Sequence, residues 1–146
     1  SRYKGAIALI RLNSKEGEVD IYMMTSSKTI EEFYEPYKPI VDALIEKHAL
    51  EVTVHNLSEV SGFTEAFIVA IARSDLHAKT LLDTASEMLD EMKLPHKVEG
   101  EGSSRWCLMD AGHLVVNILS REGRDYYRLD SLWGDAPALK FQDQDE

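Results

Sequence analysis

The run Ala66–Ala72 is apolar throughout and constrains the fold more than any other stretch of the chain. A strand without a polar side is typical of the middle of a sheet that is covered on both faces. Ser74 follows and predicts the N-cap of a helix. Apolar residues then recur at helical steps of three and four, at Ala78, Leu81, Leu82, Ala85, Met88, Leu89 and Met92. This strand and helix predict a layered α/β or α+β fold.

Further elements precede and follow this unit. Residues 29–32 read Thr-Ile-Glu-Glu, the spacing of a capping box, and Pro36 and Pro39 should break or kink the segment behind it. A helix is predicted over residues 39–48 and a half-buried strand over 50–57. Residues 94–98 predict an edge strand or connector, because Pro95 cannot donate a backbone hydrogen bond.

The segment after residue 99 predicts a hairpin followed by a short helix. Two apolar runs, 105–109 and 114–119, flank the turn sequence Asp-Ala-Gly at 110–112. Ser120 is a candidate N-cap for the helix behind it. That helix carries Tyr126, Tyr127, Leu129, Leu132 and Trp133.

The two ends of the chain differ from the centre. Residues 1–28 are interpreted as an N-terminal extension that forms a β-hairpin, with a turn-rich segment between two strand-like runs. Residues 138–146 are interpreted as an acidic, solvated C-terminal tail. A single domain over residues 29–137 lies between them.

Composition limits the partners that the chain can bind. The formal net charge is −10, so the surface as a whole should repel nucleic acid, and little direct RNA contact is expected. One cysteine, Cys107, cannot form an internal disulfide or a cysteine-based metal cage. No apolar run approaches the roughly 20 residues that cross a bilayer, so no membrane is expected.

Catalytic and cofactor motifs are weak. Cys107 and His113 could form a nucleophile and its base, but a packing role for Cys107 within a strand is favoured. The histidines lack metal-ligand spacing. The sequence Gly-Glu-Gly-Ser-Ser-Arg at 100–105 begins like a dinucleotide fingerprint, yet it has no third glycine and precedes a strand. We therefore expect no cofactor and no metal.

Trp106 has two interpretations. It can be a core residue under the sheet, or an aromatic anchor that desolvates a large area on an exposed strand. Leu108 shares its face because strand side chains alternate with period two. The pattern alone leaves both interpretations open.

The hairpin segment also resembles the iojap-like proteins, the ribosomal silencing factors. The resemblance rests on the run Trp-Cys-Leu-Met-Asp-Ala-Gly-His-Leu-Val-Val-Asn-Ile-Leu at 106–119 and on the segment Arg-Glu-Gly-Arg-Asp-Tyr-Tyr-Arg-Leu-Asp-Ser-Leu-Trp-Gly at 121–134. It departs from the family at Asn117, His113 and Asp130, where histidine, aspartate and glutamate are usual. The matching positions are Glu99, Gly100, Trp106, Asp110, Gly112, Val115, Val116, Arg124, Tyr127, Leu129, Leu132 and Trp133.

A second segment extends the resemblance to roughly residues 39–137. Residues 63–70, followed by Ser74, resemble the family's Thr-Asp-Tyr-Phe-Val-Ile region. Glu65, Ala66 and Ala72 depart from the aspartate, aromatic residue and glycine that the family prefers. These changes weaken any function that those positions carry.

The resemblance implies an α+β, two-layer fold, with a mixed β-sheet flanked by helices and a nucleotidyltransferase-like core without catalytic carboxylates. Nucleotidyl transfer needs carboxylates that converge on magnesium. The only nearby pair at strand spacing, Glu99 and Glu101, straddles a glycine in a predicted loop. The resemblance therefore implies a protein that is not an enzyme. A magnesium-dependent nucleotidyltransferase and a dimeric adaptor that pairs through its exposed strand edge remain alternatives.

The resemblance also implies a partner. Family members bind the large ribosomal subunit through its ribosomal protein fourteen and block subunit joining, in silencing or in late large-subunit assembly. The implied partner-binding residues are Trp106, Cys107, Leu108 and Asp110, supported by Glu99 and Gly100, whereas Tyr127, Leu132 and Trp133 should pack the terminal helix on the core. The extension and the departures favour a mitochondrial member, with an acyl-carrier protein and its adaptor as further partners. The bacterial cytoplasm is the alternative.

Overall fold

The computed structural model describes residues 7–13, 18–21, 32–59, 64–103, 105–127 and 136–143. These residues form a mixed sheet of eight strands, three α-helices and a further short helical stretch at residues 32–34, so the predicted α+β class is confirmed. The helices are α1 (Lys38–Glu46), α2 (Asp75–Glu91) and α3 (Arg121–Tyr127). The strands are β1 (Ile7–Asn13), β2 (Glu18–Ile21), β3 (Leu50–Asn56), β4 (Ala66–Ala72), β5 (Lys97–Glu99), β6 (Trp106–Asp110), β7 (Leu114–Ser120) and β8 (Ala138–Phe141).

The strand order across the sheet is β2-β1-β8-β3-β4-β7-β6-β5. The pairs β1–β8 and β4–β7 are parallel, and all other neighbouring pairs are antiparallel. β4 lies near the centre, as its apolar sequence predicts. All of its side chains are buried except Val69, which is half-buried. Within the described part of the chain, no helix is long and apolar enough to cross a membrane.

The two faces of the sheet differ in how they are covered. Helices α1 and α2 pack on one face and close the larger core, which includes Ile40, Leu44, Ile68 and Leu81. The opposite face carries a smaller apolar cluster around Phe67, to which Val69, Trp106 and Leu108 contribute as half-buried residues. We call this second side the open face.

The helix boundaries have local causes. The Oγ of Ser74 accepts a hydrogen bond from the backbone amide of His77 at 3.0 Å, so the predicted N-cap of α2 is confirmed. The predicted break at the prolines is confirmed, because the helical residues 32–34 are separated from α1 by a 3₁₀ turn. Pro36 lies in a 3₁₀ turn, Glu35–Tyr37, and Pro39 lies in the first turn of α1, where no helical amide bond is lost.

The C-terminal prediction is wrong for residues 138–141. These residues form β8, which pairs with β1 on one side and with β3 on the other. Ala138, Leu139 and Phe141 are buried, so the strand is an interior part of the sheet. The acidic residues after residue 141 dominate the composition of the segment 138–146. That composition predicted a solvated tail, although residues 138–141 have a strand pattern. Gln142 and Asp143 are exposed, in line with a solvated end.

At the N-terminus, β1 and β2 pair as an antiparallel hairpin, in the region where the sequence suggests one. The domain boundary between residues 28 and 29 stays a prediction. Most of the capping box at 29–32 lies outside the described residues. So do Leu129, Asp130, Leu132 and Trp133, together with the side chains of Tyr126 and Tyr127.

The phenol of Tyr34 gives a first prediction. Its oxygen is buried without a hydrogen-bond partner among the described residues, and its ring lies 5.2 Å from that of Phe141. Burial raises the pKa of this phenol far above the ordinary value of 10.0, and Asp42 and Glu35 raise it further. The pKa of this phenol is therefore higher in the folded chain than in the unfolded chain. The stability that goes with the neutral phenol is fully present below the pKa of the unfolded chain and is lost as the pH rises from that pKa towards the pKa of the folded chain.

Tyr34→Phe should therefore leave the free energy of unfolding at neutral pH unchanged or raise it by about 1 kcal/mol, since no hydrogen bond is lost. The variant should lose less stability than the unmodified chain as the pH rises above 10.0. Urea unfolding at both pH values measures this. A marked loss of stability at neutral pH would show that the hydroxyl has a partner.

Candidate partner-binding surface

Strand pairing sets the predicted site residues in rows across the open face. Val69 of β4 lies opposite Asn117 of β7, Asn117 lies opposite Leu108 of β6, and Leu108 lies opposite Glu99 of β5. Directly opposed residues of neighbouring strands point to the same side of a sheet. Trp106, two positions before Leu108, shares that side and is half-buried there.

Trp106 is held in place by a buried amide. Its indole Nε1 donates a hydrogen bond to Oδ1 of Asn117 at 2.9 Å. Asn117 is fully buried, and its Nδ2 donates to the backbone carbonyl of Ile68 at 3.1 Å. The indole is thus neither a core residue nor a freely rotating surface group. It is an aromatic side chain with a fixed orientation and an accessible part.

Asn117 is a residue whose role the sequence did not reveal. Asn117→Leu keeps the branching at Cγ but is larger and removes both hydrogen bonds at a fully buried position, so we expect the free energy of unfolding to fall by about 1–3 kcal/mol. The emission of Trp106, read in a Trp133→Phe background, should report a less ordered indole. Urea unfolding and fluorescence measure the two effects.

Asn117→His is the matched control, because a ring nitrogen can still accept from the indole. It should retain more of the order of Trp106 than Asn117→Leu does. Equal stability and equal emission of the leucine variant and the unmodified chain would show that the amide does not hold the indole.

Asp110 closes the turn between β6 and β7. Its Oδ1 accepts a hydrogen bond from the backbone amide of Gly112 at 2.8 Å, and Gly112 has a φ of +88°. The amide of Ala111 donates to the carbonyl of Leu114 at 2.8 Å. The carboxylate therefore shapes the turn beside Leu108 and remains half-buried at the edge of the open face.

Gly100 supports the start of β6 through close backbone contact. Its φ is +77°, and a Cβ at this position would lie 2.7 Å from the carbonyl oxygen of Trp106. Only glycine permits this approach without displacing β6. Glu99 is exposed on the edge strand β5. The edge strand or connector predicted over residues 94–98 is confirmed as a connector at 94–96 and as an edge strand from residue 97, which continues to Glu99.

The assignment of Cys107 to the partner-binding surface is wrong. Cys107 is buried and packs into the core beneath α1 and α2, on the face opposite to Trp106 and Leu108. Neighbouring residues of a strand point to opposite faces, so these three residues cannot share one surface. Burial, with a smaller contribution from Glu101, raises the pKa of the Cys107 thiol. The packing role of this cysteine is therefore the correct one.

A groove continues the open face beyond Val69. It has a volume of about 330 Å³, an apolar floor of Val69, Ile71 and Leu119, and Lys140 and Arg124 among its other lining residues. Arg124 of α3 forms ion pairs with Glu51 of β3 and, at 3.1 Å, with Asp125. The ion pair between Arg124 and Glu51 connects α3 to the strand β3. No cluster of three metal-ligating side chains occurs among the described residues.

The fold and this surface define a class: an α+β domain that presents a hydrogen-bonded aromatic residue on an open sheet face. Comparison with known proteins then gives the family. The family model described as "Ribosomal silencing factor during starvation" matches residues 30–146. The chain belongs to this family, and the match includes the strand β8.

Individual relatives support the same family assignment. The chain is 29% identical over 103 residues to the ribosomal silencing factor of Halalkalibacterium halodurans, covering 70% of this chain and 88% of that protein. It is 30% identical over 93 residues to the one of Bacillus subtilis, covering 63% and 79%. A crystal structure of a Chromobacterium violaceum protein superposes with a TM-score of 0.66 at 29% identity, covering 70% of this chain and 87% of that one.

The comparisons do not support the predicted mitochondrial location. The mouse protein "Mitochondrial assembly of ribosomal large subunit protein 1" is 24% identical over 98 residues, and the match covers 43% of its length. The two bacterial relatives match at higher identity than the mouse protein and over a larger share of their own length.

Proposed function

We propose that this protein binds the large ribosomal subunit through ribosomal protein fourteen and thereby prevents subunit joining, in silencing or in late large-subunit assembly. The observation that carries the proposal is the half-buried Trp106, hydrogen-bonded to Asn117 beside Leu108 on the open face. Membership of the ribosomal silencing family supplies the class of partner.

The surface suits a protein partner. An aromatic side chain with a fixed rotamer loses little entropy on binding and desolvates a large area, which is why tryptophan is enriched among residues that dominate binding energy. Glu99 and Asp110 flank the apolar centre, and the whole chain carries a net charge of −10. A basic ribosomal protein would therefore be attracted at long range, which raises the association rate more than the affinity.

The proposed mechanism is competition for a surface and requires no catalysis. A chain of 146 residues that covers the subunit-facing side of its partner excludes the small subunit by volume alone. In a mitochondrial setting, an acyl-carrier protein with its adaptor would be the further partner.

Cosedimentation tests the proposal. The purified chain is centrifuged with isolated large subunits, small subunits and joined ribosomes, and a joining assay by light scattering follows the mixture of both subunits. We expect retention on free large subunits, weaker retention on joined ribosomes and slower joining. Absence of retention on large subunits would overturn the proposal. Retention without an effect on joining would remove the anti-association step.

A further inference from the structure

The groove on the open face has the size and the floor of a small-molecule site. Its volume of about 330 Å³ lies at the lower end of the range for such sites, about 300–1,000 Å³. Val69, Ile71 and Leu119 form the floor with aliphatic side chains, of which Val69 is half-buried and the other two are buried. This floor favours a ligand with an apolar body, because apolar surface is removed from water on both sides of the contact.

Lys140 of β8 lies beside this floor. Strand pairing sets Lys140 opposite Thr53 of β3, and Thr53 opposite Val69 of β4. Directly opposed residues point to the same side of a sheet, so all three side chains point to the open face. Neighbouring strands are about 4.8 Å apart, which places the Cα atoms of Lys140 and Val69 about 10 Å apart. Lys140 is exposed and lines the groove, so it brings a positive charge next to an apolar floor.

Among the described residues, four charged side chains line the groove, and three of them are already engaged. Arg124 pairs with Glu51 and, at 3.1 Å, with Asp125. The Oδ1 of Asp143 accepts a hydrogen bond from the backbone amide of Glu51 at 2.7 Å. Within the described part of the chain, the ammonium of Lys140 has neither an ion pair nor a hydrogen bond. It is therefore the charged group that an anionic ligand can engage.

The backbone beneath the groove is already used by the sheet. In the described structure β3, β4 and β7 are each paired with a neighbouring strand on both sides. An extended peptide gains much of its affinity from backbone hydrogen bonds at a free strand edge, and these strands have none. Binding in the groove thus depends on side chains, which suits a compact small molecule.

The two carboxylates of the lining limit the charge of the ligand. Glu51 and Asp143 lie in the same groove as Lys140, and the whole chain carries a net charge of −10. They would repel a dianionic group such as phosphate about twice as strongly as a carboxylate. With one unpaired ammonium to offset this repulsion, a single carboxylate is the anion that the lining favours.

We propose that the groove is a binding site for a small monocarboxylate with an apolar body. Its carboxylate pairs with Lys140, and its apolar part packs on the floor of the groove. The ligand is a free small molecule and not a segment of a partner protein. This inference is independent of the proposed ribosomal function, because Trp106 and Leu108 do not line the groove.

Three probes with the same alkyl chain test the ligand chemistry on the full chain: octanoate, octanol and octylammonium. Isothermal titration calorimetry should give one octanoate per chain with a Kd below about 1 mM, and at least about tenfold weaker binding of octylammonium. Octanol should bind with an intermediate affinity. The proposal is overturned if octanoate does not bind, or if either of the other probes binds as tightly as octanoate.

Lys140→Met tests the pairing with the carboxylate, because it removes the charge but keeps a long apolar side chain. The affinity for octanoate should fall at least about tenfold, whereas the affinity for octanol should stay the same. Lys97→Met is the matched control, since it removes the same charge from an exposed position on β5, outside the groove. It should bind octanoate as the unmodified chain does. Equal losses in the two variants would show an effect of net charge alone and contradict the proposal.

Methyl NMR spectra locate the bound octanoate. The signals of Val69, Ile71 and Leu119 should shift on titration, and those of the exposed Leu76 on α2 should not. Val69→Phe should fill part of the groove and weaken octanoate binding at least about tenfold, with urea unfolding as the check that the variant is folded. If it does not fold, the methyl shifts and Lys140→Met decide. Shifts confined to methyl groups outside the groove would overturn the proposal.

Discussion

Gly123→Ala should lower the free energy of unfolding by about 2–3 kcal/mol, although alanine favours a helix over glycine by about 1 kcal/mol. Gly123 is buried in the short helix α3. A Cβ at this position would lie 2.0 Å from the carbonyl oxygen of Arg105 and 2.9 Å from its carbonyl carbon. Both atoms belong to the backbone just before β6, so no side chain can move aside to make room.

The clash must displace either α3 or the start of β6. The carbonyl of Arg105 also accepts the amide of Ser120 at 3.1 Å, and the Oγ of Ser120 caps the amide of Gly123 at 2.8 Å. A shift of α3 would further break the ion pair between Arg124 and Glu51. The added methyl group therefore disturbs several contacts at once.

Urea unfolding of Gly123→Ala beside Gly102→Ala measures the effect. Gly102 has a φ of +94°, but a Cβ there meets no atom within 4 Å, so its alanine variant should lose only the backbone cost of about 1–2 kcal/mol. A Gly123→Ala variant as stable as the unmodified chain would show that α3 does not need this close approach to β6.

Local sequence patterns predicted those strands and helix boundaries that depend on neighbouring residues alone. The apolar run at 66–72 is the central strand β4, and Ser74 caps α2, because both features depend on neighbouring residues only. The hairpin of β6 and β7 was also predictable, since Asp110 and Gly112 provide a complete turn within three positions.

Features that depend on distant residues were not predictable in this way. The bond from Asn117 to the carbonyl of Ile68 joins residues 49 positions apart. β8 is a strand because β1 and β3, far away in sequence, cover both of its sides. The close approach of Gly123 to Arg105 likewise requires the register of β6 on β7. A glycine in a helical segment was the one signal that could have pointed to it.

The error at Cys107 has another cause. The resemblance assigned a continuous run of residues, Trp106, Cys107 and Leu108, to the partner. A strand cannot present consecutive side chains to one partner on a face, because they alternate. The period of two was sufficient to exclude Cys107 once Trp106 and Leu108 were placed on the open face.

This alternation gives the prediction with the largest expected effect on function. Trp106→Ala should weaken binding to large subunits by at least about 30-fold, the effect of losing one dominant interface residue worth about 2 kcal/mol. Trp106→Phe keeps an apolar ring but loses the hydrogen bond to Asn117, so its affinity should lie between that of the alanine variant and the unmodified chain.

Two control variants distinguish a damaged binding surface from a damaged fold. Leu76→Ala removes an apolar side chain that is 77% exposed on α2, outside the open face, and should leave the affinity unchanged. Cys107→Ala should cost some stability through lost packing but no affinity, because its side chain points into the helix-covered core. Cosedimentation at several concentrations gives the affinities, and urea unfolding gives the stabilities.

The pattern along β6 is therefore more informative than any single variant. Loss of affinity at 106, none at 107 and loss again at 108, with Leu108→Ala as the third variant, can arise only if one face of the strand meets the partner. Equal losses at all three positions would indicate a damaged fold. Unchanged affinity of a folded Trp106→Ala variant would move the interface away from the open face.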